Sequence, residues 1–130
     1  MNKTTNKLIA AGFLGGAIGG AVVDLIYITF VGPSGLFTLM GITERFSVFL
    51  SHVILGGILG MFFGLLVKRF ASFNIYLMGL IFGLLCLGII GGIPSSALGL
   101  VDPKATLFGF IVWLLFGLIL AKTIKIFSKN

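Results

Sequence analysis

The sequence predicts an all-α, polytopic membrane protein with four transmembrane helices. Of its 130 residues, 58% are hydrophobic and 9% are charged, and a soluble domain of this size carries far more polar surface. Four apolar stretches are each near the roughly 20 residues that a membrane span needs. Glycines recur in these stretches at four-residue spacing. We therefore expect one four-span domain over residues 1–130, folded as two glycine-rich antiparallel hairpins.

The predicted spans follow the apolar runs. They are Leu8–Val31, Phe46–Val67, Ile75–Ile93 and Leu107–Ala121. The first hairpin covers about residues 8–67, and a Gly-Pro-Ser-Gly turn signal lies between its spans. The second covers about residues 75–121. The first apolar run is too long for a signal peptide and has no clear cleavage site, so we expect it to be retained.

The basic residues predict the orientation. Seven flank one side of the spans: Lys3, Lys7, Lys68, Arg69, Lys122, Lys125 and Lys129. The other side has Arg45 and Lys104, each with an acid close by in sequence. This asymmetry predicts that both termini are cytoplasmic, in a bacterial cytoplasmic (inner) membrane. The formal charge of +6 then reflects topology, and we expect the lipid bilayer, not nucleic acid, as the partner.

Glycine rows predict how the helices pair. If the chain folds back at about residue 38, one row faces the other, and Asp24 faces His52. The rows of the first hairpin are Gly12, Gly16, Gly20 and Gly56, Gly60, Gly64. Similar rows in the second hairpin contain Gly79, Gly83 and Gly109, Gly117. Small residues let helix backbones approach closely in lipid, and the shared plan predicts an internal repeat.

Asp24 and His52 are the predicted polar pair within the membrane. Asp24 lies 17 residues after Lys7, and His52 lies 16 residues before Lys68. Both are therefore about 25 Å from the cytoplasmic edge. An unpaired carboxylate there costs at least about 2.5–3.5 kcal/mol. One interpretation is a proton-linked or cation-contacting site. The other is a polar latch that fixes the register of the hairpin.

Other residues are candidate neighbours of this pair. Tyr27 and Ser51 lie near it in sequence. Glycines and a proline predict that the third helix ends early, at about the depth of Asp24, and irregular backbone at that depth needs protein or a wet cavity beside it. The candidate residues of such a pocket are Gly91, Gly92, Pro94 and Ser95. The alternative is a short third span in an interface. Thr43 is the expected cap of the second span, with Glu44 favourable for its dipole.

Motifs for catalysis or cofactor binding are not found. The sequence has no Ser-His-Asp constellation, phosphate loop, CxxC or HExxH. We therefore expect no enzyme activity and no cofactor. One acid and one histidine are too few ligands for a metal site. Cys86, the single cysteine, is expected to be a buried, inert thiol.

The stretch Glu44…His52-Val-Ile-Leu-Gly56-Gly57 resembles a pattern in small four-helix bacterial membrane proteins, in which an acid opens a helix that carries a histidine before glycines. This resemblance covers one helix and implies no function. Two functional hypotheses remain. One is a transport or permeation component, as a homo-oligomer or with a larger membrane partner. The other is an accessory or assembly subunit that docks a membrane partner through its glycine seams.

Overall fold

A computed structural model describes residues 2–30, 35–99 and 102–128, and every element described in these ranges is helical. Four of the described helices are long and apolar enough to cross a membrane. They are Lys3–Phe30, Arg45–Arg69, Ile75–Ala97 and Pro103–Ser128. All extend beyond the predicted apolar cores at one end or both. Val31 and the predicted turn at residues 32–34 lie outside the described residues.

Helix starts are set by side chains that accept from free backbone N–H groups. The first long helix is α1 (Lys3–Phe30), followed by a short α2 (Gly35–Leu39). The next, α3 (Arg45–Arg69), begins at Glu44, whose carboxylate accepts from two backbone amides. The expected cap, Thr43, is therefore wrong by one residue. The carboxylate satisfies orphan amides and favours the positive end of the helix dipole.

The third span has three segments: α4 (Ile75–Cys86), a π-helical segment π1 (Leu87–Gly92) and α5 (Ile93–Ala97). The prediction that this helix ends at Gly91-Gly92 and Pro94 is wrong, because the helix continues to Ala97. Pro94 lacks an N–H, and its ring clashes with a carbonyl in a regular α-helix. The wider π turn before it relieves this clash. Gly99, with φ of +68°, follows the end of the span.

The last helix, α6 (Pro103–Ser128), begins with Pro103 after Asp102, which accepts hydrogen bonds from the next amides. Proline suits the first position of a helix because its missing N–H would be unpaired there.

Helix α1 packs closely against α3 in antiparallel register. Gly12 lies against the backbone of Gly60 and Gly64, and Gly16 lies against Gly56 and Gly60. A Cβ added at Gly16 would be 2.7 Å from the carbonyl carbon of Gly56. Side chains larger than hydrogen do not fit, so the two backbones touch.

The other side of α1 packs on α6. Gly15 lies against Thr123 and Gly19 lies against the ring of Phe116. Helix α6 also packs on α4, with Gly79 against Gly117 and Gly83 against the carbonyl of Trp113. The core fills the space between these helices. Its largest fully buried apolar side chains are Phe63, Phe116, Leu120, Ile124 and Val112. Cys86 is also buried.

Candidate functional site: a buried carboxylate between arginine and histidine

Asp24 is the centre of the candidate site. Its side chain is 0% exposed, and residues 8–23, which precede it in α1, are all apolar or small. Oδ2 accepts a hydrogen bond from Nη2 of Arg45 at 2.6 Å, and Oδ1 lies 3.0 Å from Nδ1 of His52. A charge-assisted hydrogen bond as short as the one from Arg45 is a strong one. The structure thus places Asp24 and His52 side by side and adds a cation to the pair.

Helix α3 supplies both partners of the carboxylate. Arg45 and His52 are seven residues apart on α3, and seven residues make almost two full turns, so both side chains lie on one face. Gly20 lies against the backbone carbonyl of His52. This close approach of α1 and α3 brings Asp24, one turn further along α1, within reach of that face.

His52 has a defined tautomer. Nδ1 lies 3.1 Å from the carbonyl oxygen of Val48 and 3.0 Å from Oδ1 of Asp24. Both neighbours are acceptors, since a carbonyl and a carboxylate have no hydrogen to donate. Nδ1 therefore carries the hydrogen. The ring gains or loses its second proton at Nε2.

The geometry leaves Oδ1 of Asp24 incompletely satisfied. The Nδ1–H of His52 meets hydrogen-bond geometry toward Val48. Oδ1 is buried and has no hydrogen-bond partner of acceptable geometry among the described residues. Buried carboxylate oxygens without such a partner are rare and call for an explanation. Oδ1 therefore has lone pairs available to a further hydrogen-bond donor.

Phe37 covers the imidazole. The edge-to-face contact between the Phe37 and His52 rings has a centroid distance of 4.5 Å and an interplanar angle of 82°. Phe37 is buried and comes from α2. Gly41, with φ of +71°, ends this turn and lets Ile42 N donate to the carbonyl oxygen of Phe37. The loop between α1 and α3 thereby holds an apolar ring over the polar pair.

One side of the site opens toward the surface. The side chain of Arg45 is 48% exposed, whereas that of His52 is 6% exposed. The Arg45 side chain therefore reaches from the protein surface to the buried carboxylate.

The sequence analysis does not identify Arg45 and Phe37 as residues of the Asp24 site. Arg45 is next to Glu44 in sequence, but Glu44 caps α3 and Arg45 pairs with Asp24. The spacing of seven between Arg45 and His52 was the available signal. No comparable signal marks Phe37, because its position depends on how α2 folds back.

The predicted neighbours are less involved. Tyr27 and Ser51 are half-buried, and within the part of the chain that the structure describes neither makes a hydrogen bond with Asp24 or His52. The π1 and α5 segments pack against α2, α4 and α6. These segments contact α2, and Phe37 of α2 contacts the ring of His52. The candidate pocket residues on these segments are Gly91, Gly92, Pro94 and Ser95.

Within residues 2–30, 35–99 and 102–128 no three side chains of His, Cys, Asp or Glu lie together as metal ligands would. Comparison with family models, with curated proteins and with solved structures gives no match for this chain. The function is therefore argued from the site itself.

Proposed function

We propose that this protein is a small, multi-pass transport or permeation component in which Asp24 and His52 form a proton-linked pair. The observation that carries the proposal is Oδ1 of Asp24, which is buried, has no hydrogen-bond partner among the described residues and lies 3.0 Å from the imidazole of His52. An ionisable group within a membrane span is a functional-site hypothesis by default. Histidine and carboxylate side chains are common proton relays.

The site suits a proton better than a metal cation. Oδ2 of Asp24 is already bonded to Arg45, and Nδ1 of His52 carries a hydrogen directed at the carbonyl of Val48, so neither atom is free to bind a metal. A metal ion would need deprotonated ligands and would meet the positive charge of Arg45. A proton needs only the lone pair of Oδ1 or Nε2.

The proposed architecture has two parts. The α1–α3 and α4–α6 pairs form two glycine-seamed hairpins, and their similar contacts at Gly16 and Gly117 support an internal repeat. The excess of basic residues at the other end of the helices supports cytoplasmic termini in a bacterial inner membrane. The Asp24 site then lies in the outer half of the bilayer, with Arg45 toward the periplasm. A narrow bundle of this size is proposed to work as a homo-oligomer or with a larger membrane partner.

Proton flux into vesicles tests the proposal. The full-length protein is reconstituted into liposomes loaded with a pH-sensitive dye, and a pH gradient is imposed. We expect faster dissipation than in empty liposomes, and loss of this flux in Asp24→Asn. Asp102→Asn is the matched control, because asparagine also caps helices well and the substitution removes an acid from the exposed start of α6. Equal flux for wild type and Asp24→Asn would contradict the proposal.

One observation favours an accessory subunit as the second candidate. The third span is the least buried of the four, with 22% of the residues in its apolar window buried, so most of its residues keep some surface that lipid or a partner can contact. The glycines of α1 and α3 already face each other, and docking would use the third span instead of that seam. Under this alternative, Asp24→Asn and His52→Ala lower thermal stability or partner recovery, and neither changes proton flux.

A further inference from the structure

A cleft lies at the basic end of the bundle, on the opposite side from Asp24. It is formed where α4 begins and α6 ends, and its volume is about 270 Å³. The residues that line it are Tyr76, Lys122, Lys125 and Ile126. Two lysines one turn apart thus share a concave site with an aromatic ring and an aliphatic side chain.

Both lysines lack a carboxylate partner in the described part of the chain. The three acids of the sequence are engaged at the other end: Asp24 pairs with Arg45, while Glu44 and Asp102 cap helices. The ammonium of Lys125 lies over the ring of Tyr76, 4.9 Å from its centroid. This cation–π contact holds the charge in place, and it leaves the ammonium hydrogens available for an anion.

The cleft lies where two membrane spans end. Tyr76 is in the first turn of α4, and Lys122 directly follows the predicted apolar core of the fourth span, so two span boundaries meet here. Tyrosine is favoured at this level of a membrane, and basic pockets between spans suit acidic headgroups. Ile126 and the Tyr76 ring add an apolar wall that a glycerol or acyl carbon can contact.

We infer that this cleft binds the phosphate group of an acidic phospholipid through Lys122 and Lys125. The phosphate oxygens accept hydrogen bonds from both ammonium groups, while the glycerol side of the headgroup contacts Ile126 and Tyr76. Free inorganic phosphate has the negative charge of the lipid phosphate but lacks the glycerol and acyl carbons that contact the apolar wall. This inference is independent of the proton-linked function of the Asp24 site.

Native mass spectrometry of the full chain in detergent tests the inference, with phosphatidylglycerol and phosphatidylcholine as probes. We expect preferential retention of phosphatidylglycerol. Each lysine near an acidic headgroup contributes about fivefold in affinity, so Lys122→Gln/Lys125→Gln is expected to weaken binding by roughly 25-fold. Lys122→Gln alone is expected to weaken it about fivefold. This single variant keeps the Lys125–Tyr76 contact and serves if the double variant misfolds.

Lys3→Gln/Lys7→Gln is the matched control. These two exposed lysines lie at the start of α1, at the same end of the bundle, and the double substitution removes the same charge outside the cleft. The control should retain phosphatidylglycerol as wild type does. An equal loss of phosphatidylglycerol binding in both double variants would mean that general surface charge explains the binding. Unchanged binding in both would show that the cleft is not the binding site. Each of these results overturns the inference.

Competition with inorganic phosphate separates the two sources of the anion. We expect phosphate at moderate concentration to leave bound phosphatidylglycerol in place, because it gains nothing from Ile126 and Tyr76. If inorganic phosphate displaces the lipid, and if phosphate binding depends on Lys122 and Lys125 in the same way, the lipid assignment is overturned. The cleft would then be a binding site for a soluble phosphate.

Discussion

The Asp24–Arg45 pair is unequally buried, and this predicts unequal effects of removing either partner. The side chain of Asp24 is 0% exposed and that of Arg45 is 48% exposed. In Arg45→Ala the carboxylate stays buried without its cation, and breaking a buried pair in this way costs about 3–5 kcal/mol. In Asp24→Asn the guanidinium can turn toward water. We expect Asp24→Asn to lower the free energy of unfolding by about 1–2 kcal/mol. This value lies between the contributions of exposed ion pairs and of hydrogen bonds to charged groups.

The double variant Asp24→Asn/Arg45→Ala completes the cycle. Once the carboxylate is neutral, removing the half-exposed Arg45 side chain should cost less than about 1 kcal/mol more. The double variant is therefore expected to be more stable than Arg45→Ala alone. The resulting coupling energy is about 2–5 kcal/mol, which is large for two side chains in contact.

The assay is unfolding by SDS in mixed micelles, followed by far-UV circular dichroism at constant pH. Lys104→Ala is the control, because it removes an exposed basic side chain at the start of α6 and should change stability by less than about 0.5 kcal/mol. If Arg45→Ala is no more destabilising than Asp24→Asn, or if the two effects simply add, the argument from unequal burial is refuted.

Three further predictions concern the packing, the cap of α3 and the thiol. Gly16→Ala places a Cβ 2.7 Å from the carbonyl carbon of Gly56 and should destabilise the protein in the same SDS assay by about 1–2 kcal/mol, because overpacking outweighs the gain in helix propensity. The control Gly88→Ala, with nothing within 4 Å of its Cβ, should not destabilise the protein. Equal effects of the two substitutions would contradict close packing of α1 on α3. Hydrogen bonds from backbone amides lower the pKa of Glu44 below its ordinary value, so the capping contribution is present above the unfolded pKa and lost as pH falls through the lowered one; Glu44→Ala should have a lower melting temperature than wild type at neutral pH, and a gap that persists in strong acid would count against the cap. Cys86 is buried and should react with a maleimide in unfolded but not folded protein, and rapid labelling of the folded state would show that the thiol is accessible.

The sequence predicted most of the local structure. Span length and polarity are properties of contiguous residues, so four apolar helices could be recognised without tertiary information. The spacing of Gly16 and Gly56 also predicted where α1 and α3 approach, because a four-residue row stays on one face of a helix. The same register argument placed Asp24 opposite His52, and the structure brings these two side chains to 3.0 Å.

Only the tertiary structure decided what surrounds that pair. Arg45 is next to Glu44 in sequence, yet it bonds to Asp24, because α3 turns Arg45 toward α1 while Glu44 accepts from the first amides of the helix. Phe37 reaches His52 through the fold of α2, which no periodicity encodes. Pro94 was predicted to end the third helix, but a π turn accommodates its ring and the helix continues. The length and polarity of a span and the spacing of its glycines are properties of one chain segment. The ion-pair partner of Arg45 and the continuation of the third helix past Pro94 depend on the neighbouring helices.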